Sequence, residues 1–213
     1  MALVKYNNNS ISAVTSTGLA TGSLVPIKTL TASSSATLSF VHGTDGVVLD
    51  STYPIYIFKF ANAHPATNNA DLGFKASING GTGYGVATTA NYFEGRHSEN
   101  DSSAAALEYN TGFDLAESTD NIRLTGSIDT DNDASASGEL ILFNPSSTTF
   151  VKHFIINSNR MFDYNSGTPP QWSIHSLSSG YVNTTSAVNA IQFSMDSGNI
   201  DSGTIKLYGI KDS

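Results

Sequence analysis

Apolar residues in this chain fall in short runs, with Gly, Asn, Asp, Ser and Pro gathered between them, and that pattern predicts strands joined by turns. The runs begin after residue 24 with VPIKTLT from Val25 and ATLSFVH from Ala36, where Leu38 and Phe40 alternate with Thr37 and Ser39. YPIYIFKFA from Tyr53 is the strongest. In it Tyr56, Phe58 and Phe60 share one face and Ile55 and Ile57 share the other, so the strand is either central or covered on both sides. LGFKASI (Leu72), NYFEGRH (Asn91), NIRLTGSI (Asn121) and GELILFN (Gly138) follow. FVKHFIIN (Phe150), QWSIHSL (Gln171), AVNAIQFSM (Ala187) and GTIKLYGIK (Gly203) complete a set of ten or eleven strands. Asn79-Gly80-Gly81, Asn144-Pro145 and Asp201-Ser202-Gly203 read as turns between them. Ser102–Glu108 (SSAAALE) is the best helical stretch, long enough for a turn or two.

Many short strands with almost no helix must stack as two sheets or close into a barrel. The expected fold is therefore an all-β antiparallel sandwich, with a jelly roll the first choice among such folds. No fixed repeat argues for a propeller or solenoid. Residues 1–24 read as an N-terminal arm and 25–213 as one sandwich domain. The arm is rich in Ser, Thr, Asn and Gly, yet Leu3, Val4, Tyr6, Ile11, Val14, Leu19 and Leu24 recur along it. That is more apolar surface than a linker needs, and it fits a segment that orders by docking on a partner.

Composition narrows the function. A chain of 213 residues can bury roughly 70% of its unfolded surface without a disulfide or metal, and it has no cysteine. The formal charge is −8, from 10 Lys and Arg against 18 Asp and Glu. No basic stripe is present to neutralise phosphates, so nucleic acid is not an expected partner. No run of 18 apolar residues predicts a membrane span, and the opening MALVKYNNNS lacks the apolar core of a secretory leader. Synthesis in a cytoplasm is the expectation. Charged residues make up 13% of the chain, against about 25% in an average soluble domain, so Ser, Thr, Asn and Gly supply the polar surface.

Candidate chemistry is sparse. Asp129, Asp131 and Asp133 alternate in one segment and can in principle converge on Ca²⁺. An EF-hand loop needs Gly and Glu where Ala134 and Leu140 stand, so a looser site or a plain solvated turn are the alternatives, and the turn is favoured. Residues 94–133 hold 10 of the 18 acidic side chains, with Arg96 and Arg123 the basic ones. Glycosidase work needs two carboxyls about 5–10 Å apart in a cleft, which sequence does not specify for Glu94, Glu99, Glu108 or Glu117. An acidic face is the plainer reading. Gly80–Gly85 lacks the Lys-Ser/Thr ending of a phosphate loop and reads as a flexible hairpin. His42, His64, His97, His153 and His175 form no metal-binding pair, and neither a GxSxG elbow nor a thiol nucleophile is present. Tyr84 and Tyr181, in Gly-rich turns, are candidates for stacking on sugar rings.

FNPSSTTFVKHF (Phe143–Phe154), NTTSAVNAIQFSM (Asn183–Met195) and SGNIDSGTIKLYGIK (Ser197–Lys211) resemble small virion-associated proteins of tailed phages of marine bacteria, cyanophages included. TLTASSSATLSFVHG (Thr29–Gly43) and YPIYIFKFANAHPATNN (Tyr53–Asn69) fit the same group. The resemblance implies a non-enzymatic structural protein on the virion surface, a capsid decoration or short head-fibre knob bound to other virion proteins. It supplies no catalytic residue to carry over. Trimeric knobs are frequent in that group, and closed symmetry is general among homo-oligomers, so a homotrimer is expected. The competing expectation is a tail or fibre tip that binds a host surface glycan in the manner of a lectin.

Overall fold

The structure, a computed structural model, describes residues 23–101, 105–163 and 171–211. They form β1 (Leu24–Thr31), β2 (Leu38–Val41), β3 (Ile55–Pro65), β4 (Ala70–Ser77), β5 (Thr88–Ser98), β6 (Ala106–Tyr109) and β7 (Leu115–Ser118). After them come β8 (Ile122–Ile128), β9 (Ala136–Phe143), β10 (Lys152–Asp163), β11 (Gln171–Val182), β12 (Ala190–Met195) and β13 (Ile200–Ile210). Among the described residues there is no helix.

The strands make two antiparallel sheets. One has nine strands in the order β1-β13-β3-β9-β10-β11-β5-β6, with β7 also paired to β5. The other has four, in the order β2-β12-β4-β8. The all-β sandwich is as expected. Nine strands in one sheet exceed the four per sheet of a simple eight-stranded jelly roll.

Strict alternation builds the core. Along β10 and β11 buried and exposed positions alternate almost without exception, so each strand turns one face inward. Five phenylalanines join the layers. Phe58 of the large sheet lies 5.3 Å from Phe40 and 5.4 Å from Phe193 of the small one. Phe154 lies edge-on to Phe74 at 5.4 Å. All five are shut off from solvent, and burying each contributes roughly 1.5–3 kcal/mol.

Three local expectations need correction. Ala106–Glu108, assigned to a helical turn, lie in β6, an edge strand; residues 102–104 lie outside the described residues. Helix propensity in so short a stretch is a weak prior. It yields to pairing with β5, a Phe93–Tyr109 ring contact at 5.0 Å and an Arg96–Glu108 ion pair at 2.6 Å. Asp201-Ser202-Gly203 is not a turn but the irregular start of β13, where the register against β3 shifts twice. Gly203 has φ +116° there, which marks a β-bulge. The domain begins before Val25, because Leu24 pairs with Ile210 and the Ser23 carbonyl accepts the Lys211 N–H at 2.9 Å. The rest of the arm, residues 1–22, lies outside the described residues.

Two expected turns are present. Gly80 and Gly81 take φ of 70° and 78°, and Asn79 Oδ1 accepts the Gly83 N–H at 3.1 Å. Asn144, at φ 45°, opens a turn in which the Ser147 N–H donates to its carbonyl at 3.0 Å.

Candidate functional site

Cross-strand register sets the residues of the large sheet's outward face in rows. One row runs Tyr208–Ile57–Ile141–Ile155–Ser179–Asn91 from β13 to β5. Beside it lies Lys206–Lys59–Glu139–Asn157–Leu177–Phe93–Tyr109, from β13 to β6. On the other flank Ile210 pairs with Ile55 and Ile55 with Phe143, while His153 pairs with Tyr181 and Tyr181 with Thr89. Ile155, Leu177, Phe93 and Tyr109 are 45%, 43%, 40% and 45% exposed, and Leu107 on the edge strand is 81% exposed. Singly exposed apolar residues are ordinary, but a contiguous apolar face marks a contact surface. β3 is thus central within its sheet, and its Ile55/Ile57 side joins this outward face.

The same face carries a groove of about 590 Å³ where β7 and the turn before it overhang β5, β10 and β11. Tyr181, Tyr109, His153, Asn91 and Ser179 line it. The Tyr109 hydroxyl donates to Asp114 Oδ2 at 2.8 Å, and that bond pushes the phenol upward from its ordinary value. The His153 and Tyr181 rings meet edge-on at 6.1 Å. Of the two tyrosines singled out for sugar stacking, Tyr181 lies here, although on a strand rather than in a turn. Tyr84 lies in the β4–β5 loop with its hydroxyl turned toward Gly81. Aromatic walls with a few polar groups are what a sugar-binding groove requires.

Two ion pairs are held in structural networks. Arg160 Nη1 lies 2.7 Å from Glu94 Oε1 and donates to Ser176 Oγ at 3.0 Å. The Tyr92 hydroxyl also donates to Ser176 Oγ, at 2.8 Å. Burial pushes Tyr92 up to about 12. In the second network Arg123 pairs with Asp71, whose other oxygen accepts the Ser127 hydroxyl at 3.0 Å. Burial raises Asp71, the Arg123 guanidinium lowers it, and the Asp196 carboxylate raises it again. Asp71, Asp196, Asp120 and Lys75 border a polar cleft of about 470 Å³ on the small sheet.

Of the four glutamates weighed as hydrolytic groups, Glu94 and Glu108 stand opposite each other in the β5–β6 register, but each is held by its own arginine. Glu94 is inside with Arg160, Glu108 is at the sheet edge with Arg96, Glu117 accepts the Asn183 amide at 3.1 Å, and Glu99 is exposed on a loop. The three aspartates also diverge: Asp129 is buried, Asp131 half-buried and Asp133 exposed. Among the described residues no group of three or more His, Asp or Glu side chains could hold a metal ion. Asp129 Oδ1 accepts the Thr130 N–H at 2.9 Å, while Oδ2 is sealed without a donor. His64, 3.9 Å from Asp201, and His42, which accepts the Leu49 N–H at 3.1 Å, are in unrelated places.

Sequence reasoning missed the outward rows. Their signal is present, because GELILFN and FVKHFIIN, like YPIYIFKFA, are apolar at adjacent positions and therefore on both faces. Which strands lie side by side is what it lacks. No family model matches the chain, and no curated protein or solved structure matches it.

Proposed function

We propose that this chain is a non-enzymatic structural protein of a tailed-phage particle, carried on its surface as a capsid decoration or short head-fibre knob. The observation that carries the reading is the outward face of the large sheet, an apolar contact surface on a sandwich whose ion pairs Arg160–Glu94 and Arg123–Asp71 are tied into structural networks. Segments along most of the chain resemble small virion proteins, and a surface of Ser, Thr, Asn and Gly suits a particle exterior. The arm, whose residues 1–22 precede the sandwich, is the segment assigned to docking on another virion protein. The test is immunogold electron microscopy of particles with antibody to the purified protein. Gold on heads is expected; absence from purified particles overturns the reading.

The groove between Tyr109 and Tyr181 favours a second reading, a glycan-binding tip protein on the tail. Gold confined to tail tips, with binding on a glycan array that Tyr181→Ala abolishes, selects it over the first.

A further inference from the structure

We propose that the outward face of the nine-stranded sheet is the surface through which copies of this chain associate with one another. This deepens the reading above by naming what covers that face, and it rests on the face itself.

The first argument is size. Six neighbouring strands, β13 to β5, lie about 4.8 Å apart, and the three rows they carry lie about 6.7 Å apart, giving roughly 29 by 20 Å, or about 600 Å². A standard interface takes about 800 Å² from each partner. The patch is therefore about three-quarters of a standard interface, larger than a monosaccharide covers.

The second argument is charge. The chain carries −8, so two copies repel wherever acidic surfaces meet. In the three rows the charged side chains are Lys59, Lys206 and Glu139, and Asp114 borders them through its bond to Tyr109, so two positive and two negative charges leave zero. Lys59 and Glu139 already neutralise each other at 3.0 Å. This face can thus meet its own kind without the repulsion the acidic exterior imposes. Its apolar middle, Ile57, Ile141 and Ile155, supplies the association energy, and Leu177, Phe93 and Tyr109 extend it to the sheet edge. A strongly basic or acidic partner finds no complement here, whereas a second copy does.

The experiment uses the full chain, purified, in analytical ultracentrifugation at micromolar concentration. One closed oligomer is expected, of two or three copies. Leu177→Lys and Ile155→Lys, at positions already nearly half exposed, should fold with unchanged circular dichroism and weaken association at least tenfold. Gln192→Lys, on the small sheet, should leave it unchanged. The idea is overturned by a wild-type monomer throughout the range, or by an oligomer indifferent to both outward-face variants. Because the protein is purified, failure here leaves the microscopy result to decide the particle reading separately.

Discussion

At Asp129 a carboxylate is held where water does not reach it, with one oxygen bonded to the Thr130 N–H and the other without a donor. Burial raises it above its ordinary value of 3.8, and the Asp131 and Asp163 carboxylates add to the effect against the Thr130 and Asp163 N–H groups, which lower it. The folded state therefore keeps this proton longer than the unfolded chain does. The stability it contributes is complete below 3.8 and is lost as pH rises through the raised folded value. At neutral pH the ionised group costs stability. Asp129→Asn keeps an acceptor for Thr130 and removes the charge. It should stabilise the protein by about 1 kcal/mol near neutral pH, and the gain should fade as pH drops below 3.8. Thermal melts across that range check this; a variant less stable at neutral pH would show that the ionised carboxylate has a favourable partner. Arg160 presents the reverse case. Arg160→Met strands Glu94 in the interior at a cost of about 3 kcal/mol, and adding Glu94→Gln should restore a large part of it. Urea titrations of the single and double variants measure that coupling, and strictly additive losses would refute it.

At the level of elements, the eleven runs beginning at Val25, Ala36, Tyr53 and onward each became a strand, because alternation and turn residues are local signals that survive folding. β6 and β7 were illegible for a physical reason. Each is four residues long, LAES has a single strongly apolar side chain, and both are strands because β5 offers them an edge. Tyr181 was legible as a candidate aromatic, but its place in one groove with Tyr109 was not, since they are 72 positions apart in sequence and line it from β11 and β6, on either side of β5. The bulge at Gly203 read as a turn because the same residue types serve both purposes. A Cβ at Gly203 would stand 2.6 Å from the Asn62 carbonyl oxygen, and φ +116° lies outside what side chains allow. Gly203→Ala should cost about 1–3 kcal/mol, read as a lowered urea midpoint with an unchanged slope. A neutral result would mean that β13 can enter the sheet without this bulge.

For the molecule as a whole, the two-sheet sandwich was legible from composition and periodicity alone, while the nine-and-four division was not. That division depends on three consecutive strands, β9, β10 and β11, inserting together between β3 and β5. No local pattern encodes where a meander will be admitted.

The place of β13 bears on how the chain comes to exist. Of the described strands it is the last in chain order, yet it lies second in the large sheet, between β1 and β3. During synthesis the other twelve described strands emerge first, and among them β1 then has no neighbour while β3 presents an open, apolar edge. Such an edge invites pairing with other chains, and closure must wait for contacts spanning nearly the whole sequence, which places refolding in the millisecond-to-second range or slower. A chain ended before Ile200 should accordingly be degraded rapidly in limited proteolysis and aggregate at concentrations where the full chain stays clear. A protease-resistant, soluble product from that truncation would mean that twelve strands suffice, and that the final one is added to a domain already folded.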